Sequence, residues 1–240
     1  MSPPVGRGAA GPLGRAARAT VAALGAFALP QRCAGCDAPV AAGRALCESC
    51  ERRIPPVLAP LCVRCLTLER EPHGCGRHHS HAAWAAWVYD ERAAAVVHAL
   101  KFEGRQRLAV PLGERIARAL PRGYRPDVVI EIPLHPSRRR ERGFDQAACL
   151  ADHAARVLGA PRVSALERVR PTTGQSRLGA GSRRAQMSGA FALRDPNVWR
   201  GRRVLVIDDV LTTGATLDAA LAPLIAAGAG TTAAVLAWAS

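Results

Sequence analysis

Val204-Leu205-Val206-Ile207-Asp208-Asp209-Val210-Leu211-Thr212-Thr213-Gly214-Ala215-Thr216-Leu217 decides the fold of this 240-residue chain. Branched apolar residues open the run, as in a strand buried on both faces, and residues 215–227 are rich in Ala and Leu, as in a helix. The loop between them therefore stands at the carboxyl end of a parallel strand, where open sheets bind their ligands. The free N–H groups at the start of the next helix, aided by its dipole, favour a phosphate there. Thr212, Thr213 and Thr216 add hydroxyl donors, and Gly214 lets the backbone come close. Adjacent carboxylates ahead of such a loop would repel a phosphate. Asp208 and Asp209 make sense if they accept hydrogen bonds from sugar hydroxyls or face a Mg²⁺ ion.

The preceding sequence supplies the rest of an alternating α/β domain. Residues 84–89 read as a strand, 91–102 as a helix capped by Asp90, 107–120 as a helix stopped by Pro121 and Gly123, and 127–132 as a second buried strand. The loop that follows carries Arg138, Arg139, Arg140 and Arg142, whose planar donor forks suit phosphate oxygens; a solvated basic turn is the alternative. A helix over 145–158, a strand over 163–169 and a final strand over 231–238 complete the pattern, with Cys149 a core thiol. This order predicts a mostly parallel, doubly wound sheet. Between residues 162 and 184 there are six Arg and one Glu, and the polar stretch from Arg170 lacks apolar periodicity until Phe191. A loop of that length and charge is suited to fold over an anionic ligand.

Cysteine dominates the first eighty residues. Cys33/Cys36, Cys47/Cys50, Cys62/Cys65 and Cys75/His78 each leave two residues between potential ligands, the spacing of a zinc knuckle. Two tandem ribbons follow from the near-equal gaps, Cys33/Cys36/Cys47/Cys50 and Cys62/Cys65/Cys75/His78, holding one or two structural Zn²⁺. Cross-braced pairing is also compatible with the spacing, and His73, His79 and His81 compete with His78. Disulfides are the competing use of these thiols, which a secreted chain would make. The sequence thus divides into a tail and short helix over 1–29, a zinc-ribbon module over 30–82, and an α/β domain over 83–240. Arg7, Arg15 and Arg18 before the apolar run 21–29 resemble a weak signal peptide, with a docking amphipathic helix as the alternative. The run is too short to span a membrane, so the expectation is a soluble, cytoplasmic protein without membrane insertion.

A hydrophobic content of 49% supports a real core, and 4% aromatics requires that core to be Ala, Val and Leu. The formal charge of +14 suggests polyanionic partners, although Lys101 is the single lysine and an Arg-rich composition also raises the charge.

The run from Val204 resembles the 5-phosphoribosyl-1-pyrophosphate (PRPP) loop of type I phosphoribosyltransferases. Ala99-Leu100-Lys101-Phe102-Glu103-Gly104, Ile132-Pro133-Leu134-His135-Pro136, Arg142-Gly143-Phe144-Asp145-Gln146, Gln175-Ser176-Arg177-Leu178 and Gly189-Ala190-Phe191 beside the cysteine knuckles narrow the resemblance to the ComF family, over about residues 24–240. Those proteins are phosphoribosyltransferase-like and associated with DNA uptake competence. The family usually has Asn at the positions of Asp145 and Gln186. The resemblance implies that Asp208 and Asp209 hold the ribose hydroxyls near Mg²⁺ and that Thr212, Thr213, Gly214, Ala215 and Thr216 wrap the 5′-phosphate. For the pyrophosphate it leaves Arg138, then Arg142 and Lys101. The partners implied are PRPP or a related phosphoribosyl ligand, with single-stranded DNA and competence-machinery proteins as further candidates. Phosphoribosyl transfer or binding is one reading; non-catalytic DNA binding or nucleotide sensing is the other.

Overall fold

The computed structural model describes residues 31–68, 81–170 and 180–239. The 1–29 tail, Cys75 and His78 of the expected second ribbon, and most of the polar loop (171–179) lie outside them.

Two cysteine knuckles flank α1 (Glu48–Arg53), whose first turn is capped by Cys47: its sulfur accepts the Cys50 N–H at 3.4 Å. The chain then enters β1 (Leu61–Cys62) and β2 (Ala82–Val88). Asp90 starts α2 (Glu91–Phe102) by accepting the N–H groups of Arg92 and Ala93 at 3.0 and 2.8 Å, the capping its sequence position predicts. A 3₁₀ turn at Gln106–Leu108 leads into α3 (Ala109–Ala119), and β3 (Val128–Glu131) follows with every residue buried. Next come α4 (Pro136–Arg142), α5 (Gln146–Leu158), β4 (Leu166–Arg168), α6 (Ala180–Met187) and β5 (Phe191–Leu193). The chain ends in β6 (Arg203–Leu211), α7 (Ala215–Ala226) and β7 (Gly230–Trp238).

Among the described residues one sheet has the order β1-β2-β7-β6-β3, parallel throughout except where β1 joins β2 antiparallel. It is the expected mostly parallel α/β sheet. Its faces are covered separately: Val96, Leu100, Leu112, Ile116, Leu150 and Ala154 of α2, α3 and α5 lie in one core, and Leu217, Ala220 and Leu224 of α7 in the other. In β6 the side chains alternate between them, Leu205 and Ile207 to the first and Val204 and Val206 to the second, as the period of a strand requires. Because the core is Ala-rich, helices approach closely. Gly113 of α3 meets α5 so tightly that a Cβ there would lie 2.6 Å from both the Leu150 carbonyl oxygen and the His153 Cβ.

Three local expectations are corrected. The basic stretch after Ile132 contains the helix α4. His135 Nδ1 accepts the Ser137 N–H at 3.3 Å, Pro136 occupies the first turn, and Gly143 closes the helix at φ 74°. With none of its residues buried it lacks an apolar stripe, so only its Pro-first, Gly-last punctuation announces it. The strand expected over 163–169 shrinks to β4, which leaves the main sheet and pairs antiparallel with β5; ahead of it the backbone meets β3 at an isolated bridge between Arg162 and Val129, and the Arg162 and Ser164 side chains donate to Glu131. The polar loop, finally, becomes helical from Ala180. Cys149 is half-buried against the first core, and burial pushes its thiol pKa up.

Gly113→Ala is expected to destabilise the protein by about 2 kcal/mol, since overpacking against backbone exceeds the ~1 kcal/mol gain in helix propensity. Denaturant unfolding checks this: a midpoint equal to or above that of the wild type would refute the α3–α5 contact.

Candidate functional site

The helices that follow β3 and β6 lie on opposite faces of the sheet, α5 on one and α7 on the other. The crevice beyond the adjacent ends of these strands is therefore a topological switch point, the place where open α/β sheets bind ligands. Asp208 and Asp209 are at the end of β6 there, and the alternation of the strand sends their side chains apart.

Asp209 turns to the α2/α5 face and is buried. Lys101 Nζ, from the last turn of α2, donates to its Oδ1 at 2.8 Å, and Gln146 Nε2, from the first turn of α5, donates to its Oδ2 at 2.9 Å. Gln146 is itself buried, and its Oε1 has no hydrogen-bond partner among the described residues. Asp208 is half-buried. Its Oδ1 accepts the Asp209 N–H at 2.8 Å, and Oδ2 accepts nothing from the described residues. Burial foremost, with the neighbouring Asp209 charge, pushes its carboxyl up to about 7. On its side stands Arg168 of β4, whose guanidinium lies over the Phe191 ring at 5.6 Å. Burial lowers the pKa of Arg168, Asp208 opposes that and Arg138 adds to it, which places all three in one electrostatic neighbourhood.

The loop residues meet the helix as the sequence requires. Gly214 adopts φ 73° and caps α7 with no side-chain hydrogen bond, so the first N–H groups of α7 have no side-chain cap. Thr212 is exposed, Thr213 and Thr216 are half-buried and Ala215 is buried. The Thr213 carbonyl accepts from Arg184 Nη2 at 3.1 Å.

Of the expected cations, the structure brings Lys101 to the acidic pair and Arg138 near Arg168, whereas Arg142 stacks its guanidinium on Phe102 at 4.9 Å. Sequence reasoning missed Gln146, Arg168 and Arg184 as neighbours of the site. Gln146 closes the Arg142-Gly143-Phe144-Asp145-Gln146 string and was within reach of the motif; Arg168 and Arg184 belong to the basic stretch expected over an anionic ligand, but which of its six Arg reach the site is set by the β4–β5 pairing and the packing of α6. Beside β3 lies a cavity of about 380 Å³ lined by Glu131, Leu134, Arg139, Asp145 and Arg168. Asp145 fills both of its oxygens locally, accepting the Leu134 and Ala148 N–H groups at 3.1 Å each.

In the ribbon, the sulfurs of Cys33, Cys36, Cys47 and Cys50 lie within 4.8 Å of one another. The Cys33 sulfur accepts N–H groups from Cys47 at 3.3 Å and Gly35 at 3.4 Å. Burial pushes its thiol up, but these backbone donors outweigh burial and hold it at about 7. Converging, N–H-supported sulfurs match the donor set of a structural zinc ion. Cys62 and Cys65 form a second turn, with Cys65 Sγ 3.0 Å from Thr67 Oγ1.

Comparison with known proteins agrees with both halves. Residues 24–78 match the double zinc ribbon domain and residues 144–239 the phosphoribosyl transferase domain. The DNA utilization protein YhgH of Escherichia coli O157:H7 is 32% identical over 218 residues, spanning 85% of this chain and 94% of that protein. Competence protein F of Haemophilus influenzae is 29% identical over 187 residues, 72% of this chain and 81% of its own. Among solved structures, the glutamine PRPP amidotransferase from B. subtilis complexed with ADP and GMP overlays 52% of this chain and 24% of its own, at 23% identity and a TM-score of 0.36. No described helix is long and apolar enough to cross a membrane.

Two outcomes follow. Asp208 has a folded pKa above its unfolded value, so its contribution favours the fold below about pH 4 and is lost as pH rises towards 7. Asp208→Asn should therefore be more stable than wild type at pH 8 by on the order of 2 kcal/mol, with the gap narrowing as pH falls below 7 and closing below about pH 4, in thermal melts without divalent ions. A gap independent of pH would overturn the assignment. For the ribbon, Cys36→Ser should lower the zinc content by about one ion per chain and expose the α1 segment to proteolysis; unchanged zinc would exclude these thiols as ligands.

Proposed function

This chain belongs to the ComF family, and from that premise we propose that it binds PRPP, or a closely related phosphoribosyl ligand, across the ends of β3 and β6. The observation that carries this reading is the acidic pair split across the switch point, with the uncapped start of α7 just beyond Gly214. The 5′-phosphate fits the N–H groups of residues 213–216, where helix dipole and hydroxyls favour an anion. Among the described residues Asp208 has a carboxylate oxygen and Gln146 a buried carbonyl oxygen without a hydrogen-bond partner, and both suit donors such as the ribose hydroxyls. Lys101 and Gln146 hold Asp209, which fixes the end of β6 without fully neutralising the pair.

A Mg²⁺ ion fits this donor set: one carboxylate oxygen of Asp208 accepts nothing from the described residues, and hard cations of this kind complete their shell with water and ligand oxygens. Bound there with the ligand, it would offset the charge of the pyrophosphate. Arg138 and Arg168 are the cations placed to meet a leaving pyrophosphate, and positioning with charge stabilisation is what loss of pyrophosphate from the ribose requires. The ribbon thiols, used as zinc ligands, fit a reducing cytoplasmic setting.

The relatives connect the family to DNA utilization and competence, so a second reading is supported by α4. Arg138, Arg139 and Arg140 are all exposed on this short helix at the mouth of the crevice, in a chain of charge +14. A single strand lying along that surface would meet a row of phosphate ligands.

Calorimetric titration of PRPP with Mg²⁺ tests the first reading. Micromolar binding by the wild type, weakened at least tenfold in Asp208→Asn/Asp209→Asn, is expected, and no binding by the wild type would sink it. Pyrophosphate release with candidate bases then separates transfer from binding. For DNA, replacing Arg138, Arg139 and Arg140 together by Ala should flatten the salt dependence of single-strand binding by about 2 in log–log slope; an unaltered slope removes α4 from the interface.

A further inference from the structure

The second cysteine knuckle sits directly on the phosphate loop. The Val63 carbonyl lies so close to Gly214 that a Cβ at that position would collide with its oxygen and carbon. The knuckle is pinned from behind: Leu61 and Cys62 pair with Ala83 and Ala82 of β2, and the Val63 N–H donates to the His81 carbonyl at 3.2 Å. Arg64 reaches forward to the first turn of α7, its Nε 3.2 Å from Asp218 Oδ1.

A third segment closes the assembly. Arg184 of α6 donates through Nη2 to the carbonyls of both Thr213 and Arg64, so one guanidinium bridges the loop and the knuckle. No described carboxylate lies within ion-pairing distance of it, and its Nε is buried with no hydrogen-bond partner among the described residues. Met187, one turn further along α6, is buried in the same core as Ala215 and Leu217, so the guanidinium is delivered from an anchored helix.

We propose that Arg184, with Arg64 and the Val63 carbonyl, forms a clamp that sets the shape of the phosphate loop, making Arg184 a positioning residue for phosphoribosyl binding. This rests on the binding reading above. A guanidinium spent on carbonyl oxygens orders the loop while its positive charge is paired with no described carboxylate beside the place for the phosphate, so the same contact shapes the cradle and raises its affinity for an anion. It also makes the cysteine knuckle, through the backbone of Val63 and Arg64, part of the ligand site.

The test uses the full zinc-loaded chain with Arg184→Ala, Arg184→Lys and Arg64→Ala. In ligand-free protein, hydrogen exchange of amides 213–218 should accelerate at least tenfold in Arg184→Ala, with the amides of β3 and α5 unchanged. Affinity for PRPP with Mg²⁺ should fall at least tenfold, and Arg184→Lys, which keeps the charge and can reach one carbonyl, should recover part of both losses. Arg64→Ala should loosen the same amides by a smaller factor. Wild-type exchange at 213–218 in a folded Arg184→Ala protein overturns the clamp, as does wild-type affinity. If the wild type fails to bind PRPP while the exchange of these amides still responds to Arg184, the ligand reading falls and the clamp on the loop stands.

Discussion

Adjacent carboxylates at the end of a strand buried on both faces cannot stay charged without partners, and this fold supplies a different environment to each. Strand alternation sends Asp209 to the face covered by α2 and α5, where Lys101 and Gln146 occupy both of its oxygens. Asp208 goes to the other face, keeps an oxygen that accepts nothing from the described residues, and has its pKa pushed up to about 7. The arrangement depends on three distant segments converging: the last turn of α2, the first turn of α5 and the end of β6. The tight α3–α5 packing at Gly113 belongs to the same demand, because α5 must lie close against its neighbours to carry Gln146 to the sheet edge.

The cysteine-rich segment is built into this architecture. Leu61 and Cys62 extend the main sheet as an edge strand, Leu46, Cys50 and Ile54 pack into the core on the α2/α5 side, and Val57, Leu61 and Val63 into the core on the α7 side. Cys33, buried among these residues, thus links the zinc-type site to the hydrophobic core, and the knuckle at Val63 joins the second core to the loop at Gly214. A module with a small core of its own gains stability by sharing a larger one, and the sharing couples the two parts.

Most of the scaffold was legible because its signals are local. The apolar run 204–207, the Asp90 cap and the paired Cys-x-x-Cys spacings each constrain the backbone within a few residues of themselves. Helix α4 and the fate of residues 163–169 were not legible. An exposed Arg helix has no apolar period to detect, and whether a short strand joins one sheet or another depends on partners remote in sequence. Among candidate site residues, Asp208, Asp209 and Lys101 come together from motif strings, whereas Arg142 turns away onto Phe102.

By itself, the sequence determined that an acidic pair and a Thr-Gly loop stand between a buried strand and a helix, and that cysteine pairs with ligand spacing precede them. Covalent spacing and side-chain period suffice for that. Only the tertiary structure decided that the two carboxylates have separate partners, that Arg168 and Arg184 join the site, and that a cysteine knuckle rests on Gly214. Those outcomes are set by contacts between residues as far apart as Arg64 and Asp218, where burial and charge compensation in a shared core, and no local propensity, determine which groups meet.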